Sequence, residues 1–292
     1  MIVSPLNYPG NKTKVVKEIF DLICFDSDTF VDVFCGSATV AINSPCKNLI
    51  CNDYDNHAIE LLQYFINTPG DEIVNDVYKC IEKYELTDSA NKPKGTYVEV
   101  KHEGLSKYNK NGYQKMKSDY NQNHDVKLLF ALIIFGFNHY LRFNSRGEFN
   151  VPVGKNDFYK ILQERTIDFA NKIKERNVQL LNYDFRNPKL YEKDDAFYYF
   201  DPPYLITTAP YNSFWGEKEE KDLLKILGSL NSKGIKFALS NVIESNGKVN
   251  TILVEWVQRN RFKINILKRQ YRNANYRRKN ITLAKEVLIT NF

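Results

Sequence analysis

The chain is short of the residues that announce a metal centre or a disulfide scaffold. Its five cysteines, Cys24, Cys35, Cys46, Cys51 and Cys80, are odd in number and contain no Cys-x-x-Cys pair, which argues against both a disulfide framework and a zinc site. The four histidines are scattered, so no metal is expected. No apolar run reaches membrane-spanning length, and Met1-Ile2-Val3-Ser4-Pro5 lacks the basic start of a secretory leader. A cytoplasmic protein without a membrane partner is the expectation. Internal repeats are absent, which excludes a solenoid. The turn Phe34-Cys35-Gly36-Ser37-Ala38 has a single glycine and is not the three-glycine dinucleotide fingerprint, which disfavours a nicotinamide-dependent oxidoreductase. Acidic residues are missing from one stretch: residues 256–285 carry ten Lys or Arg and no Asp or Glu. The net charge is +6, so the rest of the chain sums to −4, and a polyanion would be drawn to one region rather than to the whole surface.

What is present is enough for a large fold. With 292 residues and 43% hydrophobic content, the chain can bury one sizeable α/β core plus a smaller domain. Phe200-Asp201-Pro202-Pro203-Tyr204 follows an apolar aromatic run and reads as the end of a buried parallel strand. In an open α/β sheet that end is where ligands sit. Two prolines supply no N–H, so the turn offers mainly acceptors, the Asp201 carboxylate and the Pro202 carbonyl. Such a pair suits a planar amine with two hydrogens to donate. Accepting both would pull the nitrogen toward tetrahedral geometry and aim its lone pair at an electrophile, while Tyr204 offers a face for a ring. The bland alternative is an ordinary Asp-Pro turn.

Earlier in the chain, residues 15–22 read as a helix, 29–34 as a strand, 36–43 as a turn and short helix, 49–51 as a strand and 57–66 as a helix. Asp53 lies 17 residues after Gly36, near the spacing at which a carboxylate accepts from a ribose. Residues 126–141 are apolar over helical length. Alternation on either side of Ser145-Arg146-Gly147 suggests a β-hairpin carrying Arg142, Arg146 and Lys155, a ribbon that fits a major groove. A solvated hairpin would look the same. Residues 158–176 read as a helix, 178–181 as a strand ended by Asn182-Tyr183-Asp184-Phe185, 217–230 as a helix, 236–240 as a strand, 250–260 as a helix and 286–292 as a closing strand. Asp184 could accept from an adenine amine with Phe185 beside the ring; a polar strand end with a core Phe is the plainer reading.

Taken in order, Tyr8-Pro9-Gly10-Asn11-Lys12, Phe30-Val31-Asp32-Val33-Phe34-Cys35-Gly36, Asn52-Asp53, Arg142 through Gly154, Asp201-Pro202-Pro203-Tyr204 and Ser240-Asn241-Val242 make the chain resemble the Dam-type DNA adenine methyltransferases. The resemblance implies a Rossmann-like S-adenosylmethionine-dependent sheet with an inserted, mostly helical target-recognition domain carrying a β-hairpin. The catalytic domain would take residues 1–66 and 177–292, and recognition residues 67–176. The implied activity is methyl transfer from S-adenosylmethionine to the exocyclic nitrogen of an adenine flipped out of duplex DNA, with 5′-GATC as the target and a monomer as the working form. Asp201, Pro202, Pro203 and Tyr204 match the family's catalytic tetrapeptide. Tyr8, Lys12, Asp53 and Asp201 match its cofactor contacts, Phe34 and Gly36 would line the methionine part, and Asp184 and Phe185 would hold the cofactor's adenine. Phe137 matches the intercalating aromatic, Asn138 would steady the orphan base, Arg142 would read guanine, Pro152 would touch a thymine methyl, and Tyr211 would help Tyr204 flank the flipped base. Lys155, on the hairpin, joins the DNA contacts, and some of Arg269, Arg272, Arg277 and Arg278 would meet phosphates.

Two departures from the pattern matter. Asn7 stands where the enterobacterial enzymes have a lysine that reads the first guanine, and Ser37 and Ala38 stand where more glycine is usual. An RNA or protein-amide methyltransferase and a catalytically silent DNA-binding relative are the competing readings.

Overall fold

The computed structural model describes residues 1–7, 10–98, 103–207, 214–267 and 284–292. Tyr8, Tyr211 and the arginines at 269, 272, 277 and 278 lie outside them. The described residues divide into two compact units, one of Met1, 12–56 and 177–292, the other of 2–11 and 57–176.

The first unit is built on a mostly parallel sheet. Its strands are β1 (Thr29–Asp32), β2 (Asn48–Asn52), β3 (Asn177–Leu181), β4 (Phe197–Phe200), β5 (Phe237–Ser245), β6 (Lys248–Val249), β7 (Lys263–Ile266) and β8 (Ala284–Thr290). They lie in the order β3-β2-β1-β4-β5-β8-β7, with β6 paired to β5. β1 to β5 run parallel along that path, while β8 enters antiparallel between β5 and β7. From β1 the chain proceeds outward to β2 and β3 on one side, then returns to place β4 and β5 on the other. The switch falls between β1 and β4, and a crevice at such a point is the expected ligand site.

Burial on both faces explains the run Phe197-Tyr198-Tyr199-Phe200, in which every residue is buried. Phe30, Phe197 and Tyr199 stack on the face covered by the helix α1 (Val16–Leu22), with Phe30 and Phe197 at 5.9 Å between ring centres. On the other face Tyr198, Phe200, Val287 and Ile289 join Leu223, Leu227 and Leu253 from the helices α8 (Glu217–Ser232) and α9 (Thr251–Asn260). α8 starts with Glu217, Glu219 and Glu220 in its first turn, where acidic side chains suit the helix dipole. Asn250 caps α9, its Oδ1 accepting from Leu253 N at 3.1 Å. The short helix α2 (Thr39–Asn43) follows the turn at Gly36, which has φ +47°.

The second unit is helical: most of α3 (Asn56–Asn67), then α4 (Gly70–Lys83), α5 (Ser106–Asn123), α6 (Val126–Phe135) and α7 (Lys160–Lys174). Phe65 meets Phe130 and Phe169 edge-on, each at 5.2 Å, and so ties α3 to α6 and α7. Gly112 lets α5 close on the end of α4, since a Cβ there would sit 1.8 Å from the Tyr84 carbonyl oxygen.

The apolar stretch 126–141 does not continue as one helix. It breaks at Gly136, whose backbone is extended and abuts Gly154; a Cβ on Gly154 would lie 2.5 Å from the Gly136 carbonyl oxygen. The hairpin after it is held by isolated bridges, Gly136 with Val153 and Phe143 with Phe149, rather than by continuous strands. Gly147 at its tip has φ +75°, which favours glycine. Among the described residues no helix is long and apolar enough to cross a membrane.

Candidate active site

Strand ends and the turns after them assemble the site of the first unit. After β1 the chain turns at Phe34-Cys35-Gly36, and Asp53, beyond β2, reaches back with Oδ2 accepting from Gly36 N at 2.7 Å. Asp53 Oδ1 accepts from Asp55 N at 3.0 Å. A carboxylate has about four acceptor positions, so Asp53 keeps capacity for a diol. Burial pushes its carboxyl up to about 6, against the lowering effect of the Asp55 and Gly36 N–H groups. Asn52 ties the neighbouring loops together: its Nδ2 donates to Val33 O at 3.0 Å and Tyr183 O at 3.1 Å, and its Oδ1 accepts from Tyr183 N. Asn182 Nδ2 adds a bond to Asp53 O at 2.8 Å.

Asp201 stands immediately after β4 with its side chain 17% exposed, and Lys12 Nζ lies 2.5 Å from its Oδ2. Lys12 is buried although it belongs to the loop before α1, and its ammonium also lies 3.4 Å from Glu286 Oε1 on β8. Tyr204 OH is 2.9 Å from Asp201 Oδ1 and 3.1 Å from Glu286 Oε1, so its one proton is shared between two carboxylates. The Lys12 ammonium sits 5.3 Å from the centre of the Tyr204 ring. Burial raises the Asp201 carboxyl, with Lys12 opposing and the Glu286 charge reinforcing that shift. Pro202 is buried and Pro203 half-buried.

Asp32 at the end of β1 is also buried, and its Oδ1 has no hydrogen-bond partner among the described residues. Burial, then the charges of Asp201 and Asp53, push its carboxyl well above the ordinary range. Asp201 and Glu286 thus share the Lys12 ammonium, Asp32 feels the charges of Asp201 and Asp53, and the orphaned Asp32 oxygen is an acceptor without a donor among the described residues. That donor set fits a cofactor bearing an ammonium and a sulfonium.

Phe34, Phe185 and Trp215 form a cluster with ring centres 5.2 to 5.7 Å apart. Phe34 is half-buried, while Phe185 is 6% exposed and carries the Arg186 guanidinium over its face at 4.6 Å. Asp184 pairs with that same Arg186 at 3.1 Å, so part of its capacity to accept is engaged. Trp215 Nε1 donates to the buried Glu220 at 2.8 Å, and Glu220 also accepts from Asn250 and Asn241.

Glu220 and Glu286 escaped sequence reading. Each is one acid in an otherwise ordinary helix or strand, and only long-range packing reveals its partners. The pattern that could have exposed Glu286 is a charge inside the apolar closing strand.

In the second unit Phe137, Asn138, Arg142, Pro152 and Lys155 are all exposed. Phe137 N donates to Pro152 O at 2.8 Å, which places these two neighbours on one side of the hairpin. Asn138 and His139 both have left-handed backbones, with φ of 54° and 55°. Asn7 Nδ2 holds the Asn138 carbonyl at 3.1 Å, and Asn7 Oδ1 accepts from Asn11 at 3.3 Å. Arg142 is oriented by Asn150, its Nε 2.8 Å from Asn150 Oδ1 and its Nη2 3.2 Å from the Asn150 carbonyl.

Comparison with known proteins agrees with this chemistry. The family model for the D12 class of N6 adenine-specific DNA methyltransferases matches residues 8–274. The chain is 34% identical over 99% of its length to the modification methylase LlaI of Lactococcus lactis, of which it covers 43%, and 34% identical over its full length to the type II methyltransferase M.FokI of Planomicrobium okeanokoites, again covering 43%. It is 24% identical over 68% of its length to the DNA adenine methylase of Haemophilus influenzae, covering 63% of that protein. The chain therefore spans about two fifths of the length of the first two relatives. Adenine methyltransferases of this family take their methyl group from S-adenosylmethionine. On the match of its length and motifs, the chain belongs to the D12 class of N6 adenine-specific DNA methyltransferases.

Proposed function

We propose that this chain transfers a methyl group from S-adenosylmethionine to the exocyclic N6 of adenine in double-stranded DNA, after rotating the base out of the helix, as the modification partner of a restriction nuclease in the cytoplasm of a bacterium or the host of a phage. The observation that carries the reading is the Asp201 carboxylate, held by Lys12 and Tyr204 at the end of the central strand. S-adenosylmethionine, when bound, supplies a methyl carbon on positively charged sulfur. Lys12, Phe34, Gly36, Asp53, Asp184, Phe185 and Asp201 are the residues that would hold it.

Asp201 and the Pro202 carbonyl then accept the two hydrogens of the amine, which turns its lone pair out of conjugation with the ring. Tyr204 flanks the purine. The amine nitrogen must shed a proton once it is alkylated, and Asp201, whose carboxyl is raised by burial, takes it. A base still stacked in the duplex would not reach an acid at the foot of a turn, and this favours flipping.

Residues 67–176 serve as the target-recognition domain in this reading. Exposed Phe137 enters the stack, Asn138 meets the orphaned partner, and Arg142, pre-oriented by Asn150, reads a guanine edge. Pro152 and Lys155 complete the contacts, with GATC as the target sequence. Asn7, in place of a base-reading lysine, holds the Asn138 backbone instead.

The test is incubation of the protein with methyl-labelled S-adenosylmethionine and duplexes in which each base of GATC is varied in turn. Label recovered as N6-methyladenine from GATC alone supports the whole proposal. Label in adenine of another sequence keeps the reaction and replaces the site. Label in RNA or protein, or none, rejects the reading.

A further inference from the structure

Glu286 has no role in the chemistry above, yet it is fully buried. Its side chain is 0% exposed, on a strand whose neighbours Val287, Leu288 and Ile289 are apolar core. Two carboxylates share one buried ammonium there, Asp201 at 2.5 Å and Glu286 at 3.4 Å from Lys12 Nζ. Glu286 thus touches both partners of Asp201, the Lys12 ammonium and the Tyr204 hydroxyl at 3.1 Å. A second buried carboxylate this close disfavours ionisation of the first, an arrangement found at functional sites.

We propose that Glu286 is a positioning residue for methyl transfer: through its hold on Lys12 and on the Tyr204 hydroxyl it sets the orientation and the charge balance of Asp201. The proposal rests on the methyltransferase reading. Among the described residues, the groups facing Asp201 are Lys12 from the loop before α1, Tyr204 from its own turn, Tyr199 from β4, Asp32 from β1 and Glu286 from β8. Lys12 alone among them is a cation. With Glu286 present, Lys12 is divided between two acids, and Asp201 stays a strong enough acceptor to receive a proton from the amine. With Glu286 neutral, Lys12 turns wholly to Asp201 and weakens it as an acceptor.

The test variant is Glu286→Gln, which keeps a carbonyl acceptor for Tyr204 and removes only the charge. In the ligand-free protein, 13C detection of the Asp201 carboxyl, assigned by comparison with Asp201→Asn, is expected to show titration displaced to lower pH. In turnover, kcat is expected to fall about tenfold to a hundredfold, with KM for cofactor and DNA within about twofold. The acid limb of the kcat profile is expected to move to lower pH, and the melting temperature to equal or exceed that of the wild type. An unmoved Asp201 titration overturns the proposal, as does a loss of activity that tracks a lowered melting temperature. Should Glu286→Gln not fold, Glu286→Asp decides: retained Asp201 titration with reduced kcat supports the role, and wild-type kcat overturns it. A wild-type protein that methylates no adenine defeats the functional reading instead, while the ligand-free titration still decides what Glu286 does.

Discussion

Lys12 and Asp201 form an ion pair at 2.5 Å with side chains only 2% and 17% exposed, one from the loop before the first helix and one from the end of β4. Their separation in sequence and closeness in space join the amino-terminal motif to the turn after β4. Replacing Lys12 with Ala leaves Asp201 and Glu286 as neighbouring buried acids without a cation. Loss of one partner from a buried pair costs about 3 to 5 kcal/mol. Chemical denaturation of Lys12→Ala is expected to show a loss of that order, with partial recovery at low pH as the acids take up protons. A stability loss that is the same at every pH would contradict it.

In the proposed function, Asp53 would set a pH dependence on cofactor binding. Its carboxyl is raised to about 6 in the folded chain from an ordinary 3.8, so the folded state holds the proton more tightly than the unfolded one. The ionised group therefore costs stability above that value, and the cost is relieved as pH falls through the window between the two. Accepting from ribose hydroxyls favours the ionised form. Affinity for S-adenosylmethionine is expected to drop as pH falls below about 6, with proton release on binding near that pH. Calorimetry in buffers of different ionisation enthalpy measures both. Asp53→Asn should abolish the released proton.

Arg142 is fixed by Asn150 before any DNA arrives, which lowers the ordering cost of a base contact. Arg142→Ala is expected to reduce discrimination against a changed guanine by about 1 to 3 kcal/mol, while cofactor affinity stays as it was. Competition between cognate and singly altered duplexes reads this directly. Equal losses on all sequences would make Arg142 a phosphate contact.

The loop carrying Phe137 is strained where it is exposed. Asn138 and His139 in succession adopt left-handed backbones, each costing about 1 to 2 kcal/mol in a non-glycine residue, and Asn7 secures the Asn138 carbonyl. In the proposed function this loop is the one that meets the DNA. With 2-aminopurine as the target base, fluorescence should rise on binding to the wild type. Phe137→Ala should give about a tenfold or smaller fraction of flipped base, and Asn7→Ala an intermediate one, if each good stacking contact is worth about 1 to 3 kcal/mol.

Much of this was legible in local sequence. The turn at Asp201, the single-glycine turn at Gly36 and the acid at Asp53 are encoded by neighbours in the chain, where proline, glycine and strand ends leave clear marks. β4 is legible because four aromatic or apolar residues in a row suit only a strand covered on both faces. Other features depend on partners far away. Glu286 gains its meaning from β8 lying antiparallel beside β5, a register that no local pattern encodes. The short strand β7 was invisible because its residues are mostly exposed. α5 hid in a polar stretch rich in Lys, Asn and Tyr, where Tyr113, Met116 and Tyr120 form its buried stripe. α6 stops ten residues into an apolar run because Gly136 must lie against Gly154, a contact between segments.

The central claim is that the Asp201 carboxylate directs adenine N6 to an activated methyl group. Its most direct test is nucleoside analysis of duplex DNA after incubation with labelled S-adenosylmethionine and either the wild type or Asp201→Ala, with DNA binding measured alongside. The expected result is labelled N6-methyladenine with the wild type and none above background with Asp201→Ala, which still binds DNA. Continued methylation of adenine by Asp201→Ala at near wild-type rate would contradict it.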